Sequence, residues 1–321
     1  MLDAPVAVDA MGGDHAPQAL VEGALLARSD GIPVCLVGDA EILGSMLPPS
    51  GPPVIAARGV VGMGESPVAA VRRSDDLSVR VALREVRVGR ACAAVSCGHT
   101  GALLVAAVFD LGTVEGVERP AIATVLPRAD GGRLILLDAG ANIDCKPELL
   151  VSFARLGVDY ARVLGVASPR VGLLSNGEED GKGNAVVRAT LPLLQATGLD
   201  VVGNVEPTAA MSGGCEVLVT DGFVGNVLIK AAEGAVQTAV HLLREEIQRS
   251  RASMFGAWLL RGAIERFRVR IAWDAHGGGV LLGTRGTVVV GHGRANPEAV
   301  RQAIHLAHST AGGQPAGGET T

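Results

Sequence analysis

Aromatic residues are scarce in this chain of 321 residues: Phe, Trp and Tyr together make up 2%. Apolar residues of all kinds make up 48% and glycine occurs 44 times, so the core must consist of Val, Leu, Ile and Ala packed close to backbone turns. A chain of this length can bury a large core. The composition is typical of an α/β enzyme, and it disfavours a β-sandwich or a nucleic-acid binder that stacks bases on aromatic rings.

An excess of positive charge is also missing. The formal net charge is −5 and the sequence pI is near 5.8. A nucleic-acid-binding surface needs clustered Lys and Arg, so the overall charge gives no reason to expect a nucleic-acid partner.

The sequence has no paired cysteines and no long apolar run. Its five cysteines are widely spaced and form no CxxC pair, which predicts neither a disulfide framework nor a zinc site and favours a reducing cytoplasm. No run reaches the roughly 18 apolar residues of a membrane span. The N-terminal MLDAPVAVDA is acidic and enters a strand at once, so we expect no secretory signal.

Common catalytic and nucleotide motifs are absent as well. MGGDHAP lacks the spacing of GxGxxG, and the chain contains no GxxxxGK[ST], which disfavours a Rossmann dinucleotide site and a P-loop. A GxSxG nucleophile elbow at Ser96 is excluded by Ala94, which stands where glycine is needed. A catalytic pair of Cys97 as nucleophile and His99 as base remains an alternative to a simple turn at this position. We expect no metal, because the candidate metal ligands do not follow the spacing of a known metal-binding motif. These candidates are Asp9, Asp14, His15, Asp138, Asp144 and Asp221.

Short apolar runs alternate with helical patterns over most of the length, which predicts parallel strands joined by helical crossovers. Asn296-Pro297 reads as the start of a last helix that ends near residue 308. We expect one α/β catalytic unit over residues 1–308 and a disordered tail over 309–321. The predicted strands are PVAVDA, IPVCLVGD, ACAAVSCG, AIATVLP, GRLILLDAG, PRVGLLSNG, LDVVGNV, CEVLVTDG and GTVVVGHG. The predicted helices include 66–89, 100–110, 147–165, 184–197 and 223–250.

Several predicted strands end in small polar turns, as in VDAMGG, VSCG, LLDAG, LLSNG and VTDG. In a parallel sheet these ends meet at one edge, where open α/β folds bind ligands. Backbone amides in glycine-rich turns, together with helix N-termini, make such an edge favourable for binding phosphate. Simple turn chemistry explains any one of these sites equally well.

Lysine is rare: only Lys146, Lys182 and Lys230 occur. Lys182 lies in GLLSNGEEDGKGN, between a strand end and a helix start, where an ammonium could hold phosphate or simply form a surface ion pair. Asn226 lies in the first turn of a helix in DGFVGNVLIKAAEG, where its amide could polarise a carbonyl or only donate locally.

Residues 236–272 are predicted to form a protruding amphipathic helical hairpin. Val236, Val240, Leu243 and Ile247 have helical spacing and are most simply a core face. The following SRASMFGAWLLRGAIERFRVR combines apolar residues with arginines, which suits either a packed hairpin or contact with anionic headgroups or an acidic carrier. The candidate contact residues are Met254, Phe255, Trp258, Leu259, Arg251 and Arg261.

Six ordered blocks resemble the bacterial phosphate acyltransferase family: VAVDAMGGDHAP, AAVSCGHTGALL, LLDAGANIDCKPELL, VGLLSNGEEDGKGN, VTDGFVGNVLIKAAEG and GGGVLLGTRGTVVVGHGRAN. The resemblance implies a homodimeric, cofactor-free enzyme that moves a fatty acyl group from acyl carrier protein to inorganic phosphate for phosphatidic acid synthesis. It also implies a cytoplasmic enzyme that is peripherally associated with an anionic membrane surface, and a downstream membrane glycerol-3-phosphate acyltransferase. The implied fold is a three-layer, mostly parallel sheet similar to isocitrate/isopropylmalate dehydrogenases and phosphotransacetylases.

The resemblance also implies roles for individual residues. Lys182 and Asn226 correspond to the catalytic lysine and asparagine. Two segments depart from the family pattern. Cys97 and His99 stand where the family has Ala and Asn. In the segment RRSDDLS, Arg73 is the candidate residue for binding phosphate. The substrate-binding candidates are Asp9, Gly12, Gly13, Asp14, His15, Arg73, Ser96, His99, Thr100, Asp138, Asn142, Asn184 and Asp221.

Other functions remain open on the sequence alone. A phosphotransacetylase acting on acyl-CoA uses the same fold, a related dehydrogenase would need a nucleotide and a metal, and a non-catalytic scaffold could recruit lipid-synthesis enzymes to the membrane.

Overall fold

A computed structural model describes residues 4–62, 64–271 and 278–313. In this part of the chain, eleven strands form one sheet in the order β3-β2-β1-β4-β11-β10-β5-β6-β9-β7-β8. The strands are β1 Val6–Asp9, β2 Val34–Gly38, β3 Val54–Ala56, β4 Ala93–Ser96, β5 Ala121–Pro127, β6 Arg133–Leu137, β7 Val171–Leu174, β8 Val201–Val205, β9 Val217–Val219, β10 Gly279–Leu282 and β11 Thr287–Val290.

Helices cover both faces of the sheet. They are α1 Gln18–Ser29, α2 Ala40–Met46, α3 Pro67–Arg73, α4 Ser78–Arg87, α5 Thr100–Asp110, α6 Pro147–Val163, α7 Ala185–Gln195, α8 Pro207–Met211, α9 Gly222–Gln248, α10 Arg251–Leu259, α11 Arg261–Ile271 and α12 Pro297–Gly313.

Alternate residues of the strands enter different cores. Val6 and Val8 of β1 belong to one buried cluster with residues of α1, α6 and α12, whereas Ala7 belongs to a second cluster with residues of α4 and α5. This alternation follows from the two-residue period of a strand. The sheet therefore lies between two helical layers.

Most strand pairs are parallel, as predicted, but three of the ten pairs are antiparallel: β10 with β11, β10 with β5, and β5 with β6. These pairs reverse the strand direction in the middle of the sheet. The carboxyl ends of β1, β2, β4 and β11 lie at one edge, and those of β6, β7 and β9 lie at the opposite edge. The expectation that all polar strand ends share one edge is therefore wrong.

The helix predicted over residues 66–89 is divided into α3 and α4. Ser74 is extended, and the segment after it pairs with residues 58–59 through backbone hydrogen bonds at Asp76 and Ser78. The guanidinium of Arg80 donates to the carbonyls of Val71 and Ser74 at the end of α3. Satisfying these carbonyls allows the helix to end there.

The last helix is longer than predicted and ends at Gly313 instead of near residue 308. Ala307 and Thr310 are buried, and Ala311 packs against the same core as α1. Residues 309–313 of the predicted disordered tail are thus helical, because their apolar face continues the buried stripe of the helix. The rest of that tail, residues 314–321, lies outside the described residues.

The segment predicted as a helical hairpin over 236–272 consists of the end of α9 followed by α10 and α11, and residue 272 lies outside the described part. Its helical character is present, and the hairpin arrangement stays a prediction. The proposed core stripe on α9 is wrong, since Val236, Val240 and Ile247 are half-buried and Leu243 is exposed. Within one chain, the part of α9 after Ile229 has no core to enter.

Candidate active site

A polar cleft of about 290 Å³ lies between the N-terminus of α5 and the first half of α9. Its floor contains residues from the start of β5 and the end of β11, and the loop after β6 closes one side. Thr100 and Asn226 are the two predicted site residues that this cleft brings together. The other lining residues include Ile122, Thr124, Gly140, Lys230, Glu233 and His292.

One face of α9 supplies the polar wall of the cleft. Asn226, Lys230 and Glu233 follow at intervals of four and three residues, which places them on the same side of a helix. The carboxylate of Glu233 lies 3.9 Å from the Nε2 atom of His292. Lys230, Glu233 and His292 were not among the predicted site residues, although the helical spacing from Asn226 was a usable signal for the first two.

Glycines let α9 approach the loop after β6. A Cβ atom at Gly225 would overlap the backbone carbonyl of Asp138, so no other residue fits there without a shift of the backbone. Across the gap, a Cβ atom at Gly140 would lie 3.2 Å from the Nδ2 atom of Asn226. The Asn226 side chain therefore occupies the space that a side chain at position 140 would need. Asp221 caps the helix by accepting a hydrogen bond from the Val224 amide at 2.8 Å.

Asp138 organises that loop from within the protein. Its side chain is fully buried, and its two oxygens accept hydrogen bonds from the backbone amides of Ile122, Gly140, Ala141 and Asn142, at 2.6 to 3.2 Å. The Asn142 side chain donates to Asp138 and to the Pro120 carbonyl. Burial raises the pKa of Asp138, and the amide donors oppose that rise. Asp138 and Asn142, predicted to bind substrate, have their side-chain hydrogen bonds directed to the protein.

Asp9 has a similar role at the other end of the cleft region. Its Oδ2 atom accepts a hydrogen bond from Ser96 at 2.7 Å, and its Oδ1 atom accepts one from the Met11 amide. Burial raises the pKa of Asp9, against the hydrogen bonds that favour its charged form. The cavity beside Asp9 and Ser96 measures about 10 Å³, enough for one water molecule at most. This pair therefore holds the turn containing Gly12.

The remaining residues of the first motif surround this turn. Gly13 has a positive φ of 115°, which favours glycine. The Asp14 amide donates to the Gly293 carbonyl at 2.7 Å, and the Asp14 carboxylate lies 3.7 Å from Arg294. Asp14 and His15 are exposed and do not line the polar cleft.

The alternative of a Cys97/His99 nucleophile does not fit the geometry. Cys97 is 1% exposed, and burial raises the pKa of its thiol to about 12, which suppresses the reactive thiolate. His99 precedes α5, and its carbonyl accepts the amides of Ala102 and Leu103. No cluster of three or more metal-ligating His, Cys, Asp or Glu side chains occurs within residues 4–62, 64–271 and 278–313.

Lys182 lies outside the cleft, on the exposed loop between β7 and α7. Asn184 caps α7 by accepting the Val187 amide at 2.9 Å, and Asn176 accepts the Gly183 amide at 2.9 Å. Two buried oxygens near this loop, Oγ of Ser175 and Oδ1 of Asn204, have no hydrogen-bond partner among the described residues. These hydrogen bonds hold the end of the loop next to α7, and the exposed Lys182 side chain passes beside Gly177.

Arg73 also lies outside the polar cleft. Its side chain is exposed and lies 3.1 Å from the carboxylate of Glu65. The preceding residue, Arg72, lines a different and mostly apolar cavity against α5.

The surface of α10 exposes large apolar side chains. Met254, Phe255, Trp258 and Leu259 are between 46% and 63% exposed, and α10 has no buried residue. The rings of Phe255 and Trp258 stack with centroids 5.8 Å apart, and the guanidinium of Arg261 lies 5.1 Å from the Trp258 ring. Arg251 begins the helix and is exposed. We call these six residues the α10 patch. Among the described helices, none is both long and apolar enough to span a bilayer.

Comparison with known proteins identifies the family. A family model described as "Fatty acid synthesis protein" matches residues 4–317. A protein of Desulforudis audaxviator named "Phosphate acyltransferase" is 47% identical over 305 residues, which cover 94% of this chain and 91% of that protein. The chain belongs to the bacterial phosphate acyltransferase family. It is an acyltransferase, and its relatives support acyl transfer to phosphate.

Solved structures of distant proteins share the fold of this acyltransferase. A phosphotransacetylase from Streptococcus pyogenes superposes with a TM-score of 0.64 at 16% identity, covering 96% of this chain and 94% of that one. A 4-hydroxythreonine-4-phosphate dehydrogenase from Klebsiella pneumoniae gives a TM-score of 0.55 at 16% identity, covering 96% and 100%. The predicted fold similarity to phosphotransacetylases is confirmed, and the similarity to isocitrate/isopropylmalate dehydrogenases stays a prediction. Because the chain belongs to an enzyme family, the alternative of a purely non-catalytic scaffold is excluded.

Proposed function

We propose that this acyltransferase moves a fatty acyl group from acyl carrier protein to inorganic phosphate and so provides acyl phosphate for phosphatidic acid synthesis. The observation that carries the proposal is the position of Asn226, whose side-chain amide lies beside Gly140 in the lining of the polar cleft. A neutral amide donor held by a helix is suited to stabilising the oxyanion that forms when a thioester carbonyl is attacked.

Phosphate would bind beside this amide. Lys230, one helical turn after Asn226, brings a positive charge to the cleft. Thr100 is the first residue of α5, so free backbone amides and the positive end of the helix dipole face the same space. A cation, a hydroxyl and a helix N-terminus together favour a small dianion over a neutral ligand.

The reaction needs no covalent intermediate with the enzyme. An oxygen of hydrogen phosphate attacks the thioester carbon, and the new C–O bond gives a tetrahedral intermediate whose carbonyl oxygen is an oxyanion. This intermediate collapses by breaking the C–S bond, and the phosphate proton passes to the departing thiolate. Thiols are far more acidic than alcohols, so the leaving group needs little acid assistance. Holding both reactants in one cleft accounts for a large part of the acceleration.

Lys182 is part of this proposal because it corresponds to the catalytic lysine of the family motif. Lys182 is exposed on the loop after β7 and does not line the cleft, so its long side chain or the loop has to rearrange for the ammonium to reach the bound phosphate. In that position it would add a second positive charge as the tetrahedral intermediate forms.

The test is phosphate-dependent release of free thiol from acyl carrier protein. We expect Asn226→Ala and Lys182→Ala to lower the rate about a hundredfold or more, Lys230→Ala to raise the KM for phosphate, and the exposed Lys146→Ala to change neither. Normal turnover by Lys182→Ala would remove that residue from the mechanism. Thiol release from acyl-CoA as fast as from the carrier would overturn the donor assignment in favour of a phosphotransacetylase.

Two further proposals concern assembly. The α10 patch suits binding to an anionic membrane surface, which would bring the acyl phosphate to a membrane glycerol-3-phosphate acyltransferase. The exposed apolar residues on the second half of α9 suit a homodimer.

A further inference from the structure

A second cavity, of about 550 Å³, opens beside the polar cleft. We call it the α5 groove. Its walls are mostly apolar and come from α3, α5, the residues before β5 and the loop after β6. The lining includes Val68, Val71, Leu104, Val105, Val108 and Phe109. This size lies within the ordinary range of ligand sites.

The groove and the polar cleft are continuous along two parts of the chain, α5 and the loop after β6. On α5, Thr100 lines the cleft, while Leu104 and Val108, at successive four-residue steps, line the groove. In the loop after β6, Gly140 faces the cleft and Ala141 faces the groove. A ligand that passes this turn would have one end among polar groups and the other among apolar side chains.

The groove wall is held in place by buried contacts. Arg80 and Asp110 form a buried ion pair with Nε–Oδ2 at 2.8 Å, and Arg80 also lies 4.8 Å from the centre of the Phe109 ring. These contacts fix the C-terminal end of α5 against α4. The groove therefore exists before a ligand arrives, so little binding energy is spent on ordering its walls.

Two arginines supply positive charge to the lining. Arg72 and Arg119 are exposed, and neither makes a hydrogen bond or ion pair with the described residues. An apolar groove with free cations fits a ligand that joins a hydrocarbon chain to an anionic group, as an acyl phosphate does.

We propose that the α5 groove binds the fatty acyl chain of the substrate and sets the preferred chain length. The proposal rests on the proposed function, because it places the thioester carbonyl at the Gly140–Ala141 turn, next to Asn226. Each methylene that enters the groove should tighten binding about fourfold.

The experiment fills the groove with a larger side chain. Val108→Trp changes a residue that is 43% exposed, so the fold is retained, and Val88→Trp changes an equally accessible valine outside the groove as a control. Acyl phosphate formation is measured with butyryl and palmitoyl carrier protein, and binding of butyryl and palmitoyl phosphonates is measured by calorimetry.

We expect Val108→Trp to lower kcat/KM and phosphonate affinity for the palmitoyl compounds by about tenfold or more. The butyryl values and both values of Val88→Trp should stay near those of the wild type. An unchanged ratio of palmitoyl to butyryl values, or an equal loss at both lengths, would overturn the proposal. Dissociation of a dimer by Val108→Trp would assign the groove to a subunit contact and overturn it as well. If Val108→Trp weakens the binding of palmitoyl phosphonate while the wild type forms no acyl phosphate, the proposed function fails and the groove assignment stands.

Discussion

Single buried carboxylates hold the loops around the cleft. Asp138 is surrounded by backbone amides, and Asp9 by the Met11 amide and the Ser96 hydroxyl. Such groups are costly to bury unless they are hydrogen-bonded, and here their partners come from turns that border the cleft. Asp138 therefore positions the backbone of the loop that contains Gly140, and Asp9 positions the glycine turn.

Glu216 provides the clearest test of a carboxylate that stabilises the fold. Its oxygens accept hydrogen bonds from Arg128 at 2.7 Å and from Arg170 at 2.9 and 3.0 Å. Burial alone would raise its pKa, but these donors outweigh burial and lower the pKa to about 2, from an ordinary value of 4.5. Because the folded pKa is depressed, the stabilisation is present above pH 4.5 and is lost as the pH falls towards 2.

We therefore expect Glu216→Gln to lower the free energy of unfolding by about 3 kcal/mol at pH 7. This deficit should shrink by about 1 kcal/mol at pH 4 and about 2 kcal/mol at pH 3, because the Glu216 carboxylate becomes protonated in the unfolded wild type while it stays mostly ionised in the folded one. Urea titrations of the wild type and the variant at these pH values measure the difference in the free energy of unfolding. Asp159→Asn, which removes an exposed pair with Arg162, is the control and should cost at most about 1 kcal/mol. A deficit that is the same at every pH would contradict the assigned pKa.

Individual helices and strands were largely predictable from the sequence, and so was the parallel direction of most strand pairs, whereas the three antiparallel pairs in the middle of the sheet were not predicted. The helix expected at 223–250 is α9, at Gly222–Gln248, and all nine predicted strands are present. The short strands β3 and β10 were missed, since three or four apolar residues give little periodic signal. The reversal between β5 and β6 occurs at Arg128–Gly132, where Asp130-Gly131 is a hairpin signal that the βαβα interpretation overlooked.

The candidate site was harder to predict for a physical reason. Polar residues at strand ends serve both as ligands and as turn or helix caps, and a local pattern does not separate the two uses. Asp138, Asp221 and Asn184 proved to cap or organise backbone, while Lys230 was noticed only for the rarity of lysine. Its four-residue spacing from Asn226 would have placed it on the same helix face.

The α10 patch leads to a prediction about membranes. Phe255 and Trp258 are stacked and exposed beside Arg251 and Arg261, so an apolar surface and positive charge face the same solvent. Burying each ring in a lipid interface is worth about 1.5–3 kcal/mol, and the arginines favour anionic headgroups. We expect the wild-type protein to float with phosphatidylglycerol vesicles and Phe255→Glu/Trp258→Glu to lose more than about tenfold in partitioning.

The matched control changes two exposed valines elsewhere, Val88→Glu/Val202→Glu, with the same added charge. This variant should float like the wild type. Equal flotation of the wild type and the α10 double variant would exclude the patch as the membrane contact.

The polar cleft depends on both halves of the molecule. Thr100 and His292 follow β4 and β11, whose carboxyl ends lie at one edge of the sheet, whereas Gly140 follows β6, which runs the other way. Only the antiparallel strands at the centre bring these loops to a common cleft. α9 connects the cleft to the outside, since Asn226 lies in its first turn and its far end carries α10.

The length of α9 bears on how the whole molecule assembles. It has 27 residues and is therefore about 40 Å long, yet its buried residues, Gly222, Gly225 and Ile229, all lie in the first two and a half turns. Beyond them, Leu242 and Leu243 are more than half exposed, and Val236 and Val240 lie on the same side as Leu243. An apolar stripe of this kind is stabilised by packing against another helix, and in a homodimer the partner would be α9 of a second copy.

We expect light scattering after gel filtration to give twice the chain mass of 32.6 kDa for the wild type and a single chain mass for Leu243→Glu. Leu243→Glu should separate the copies because it would bury a charge between them. Leu243→Met adds no charge and should remain a dimer. Val88→Glu adds the same charge outside α9 and should also remain a dimer. Thiol release by Leu243→Glu then measures what dimerisation contributes to the reaction. A wild type with the mass of one chain at micromolar concentration would contradict the homodimer.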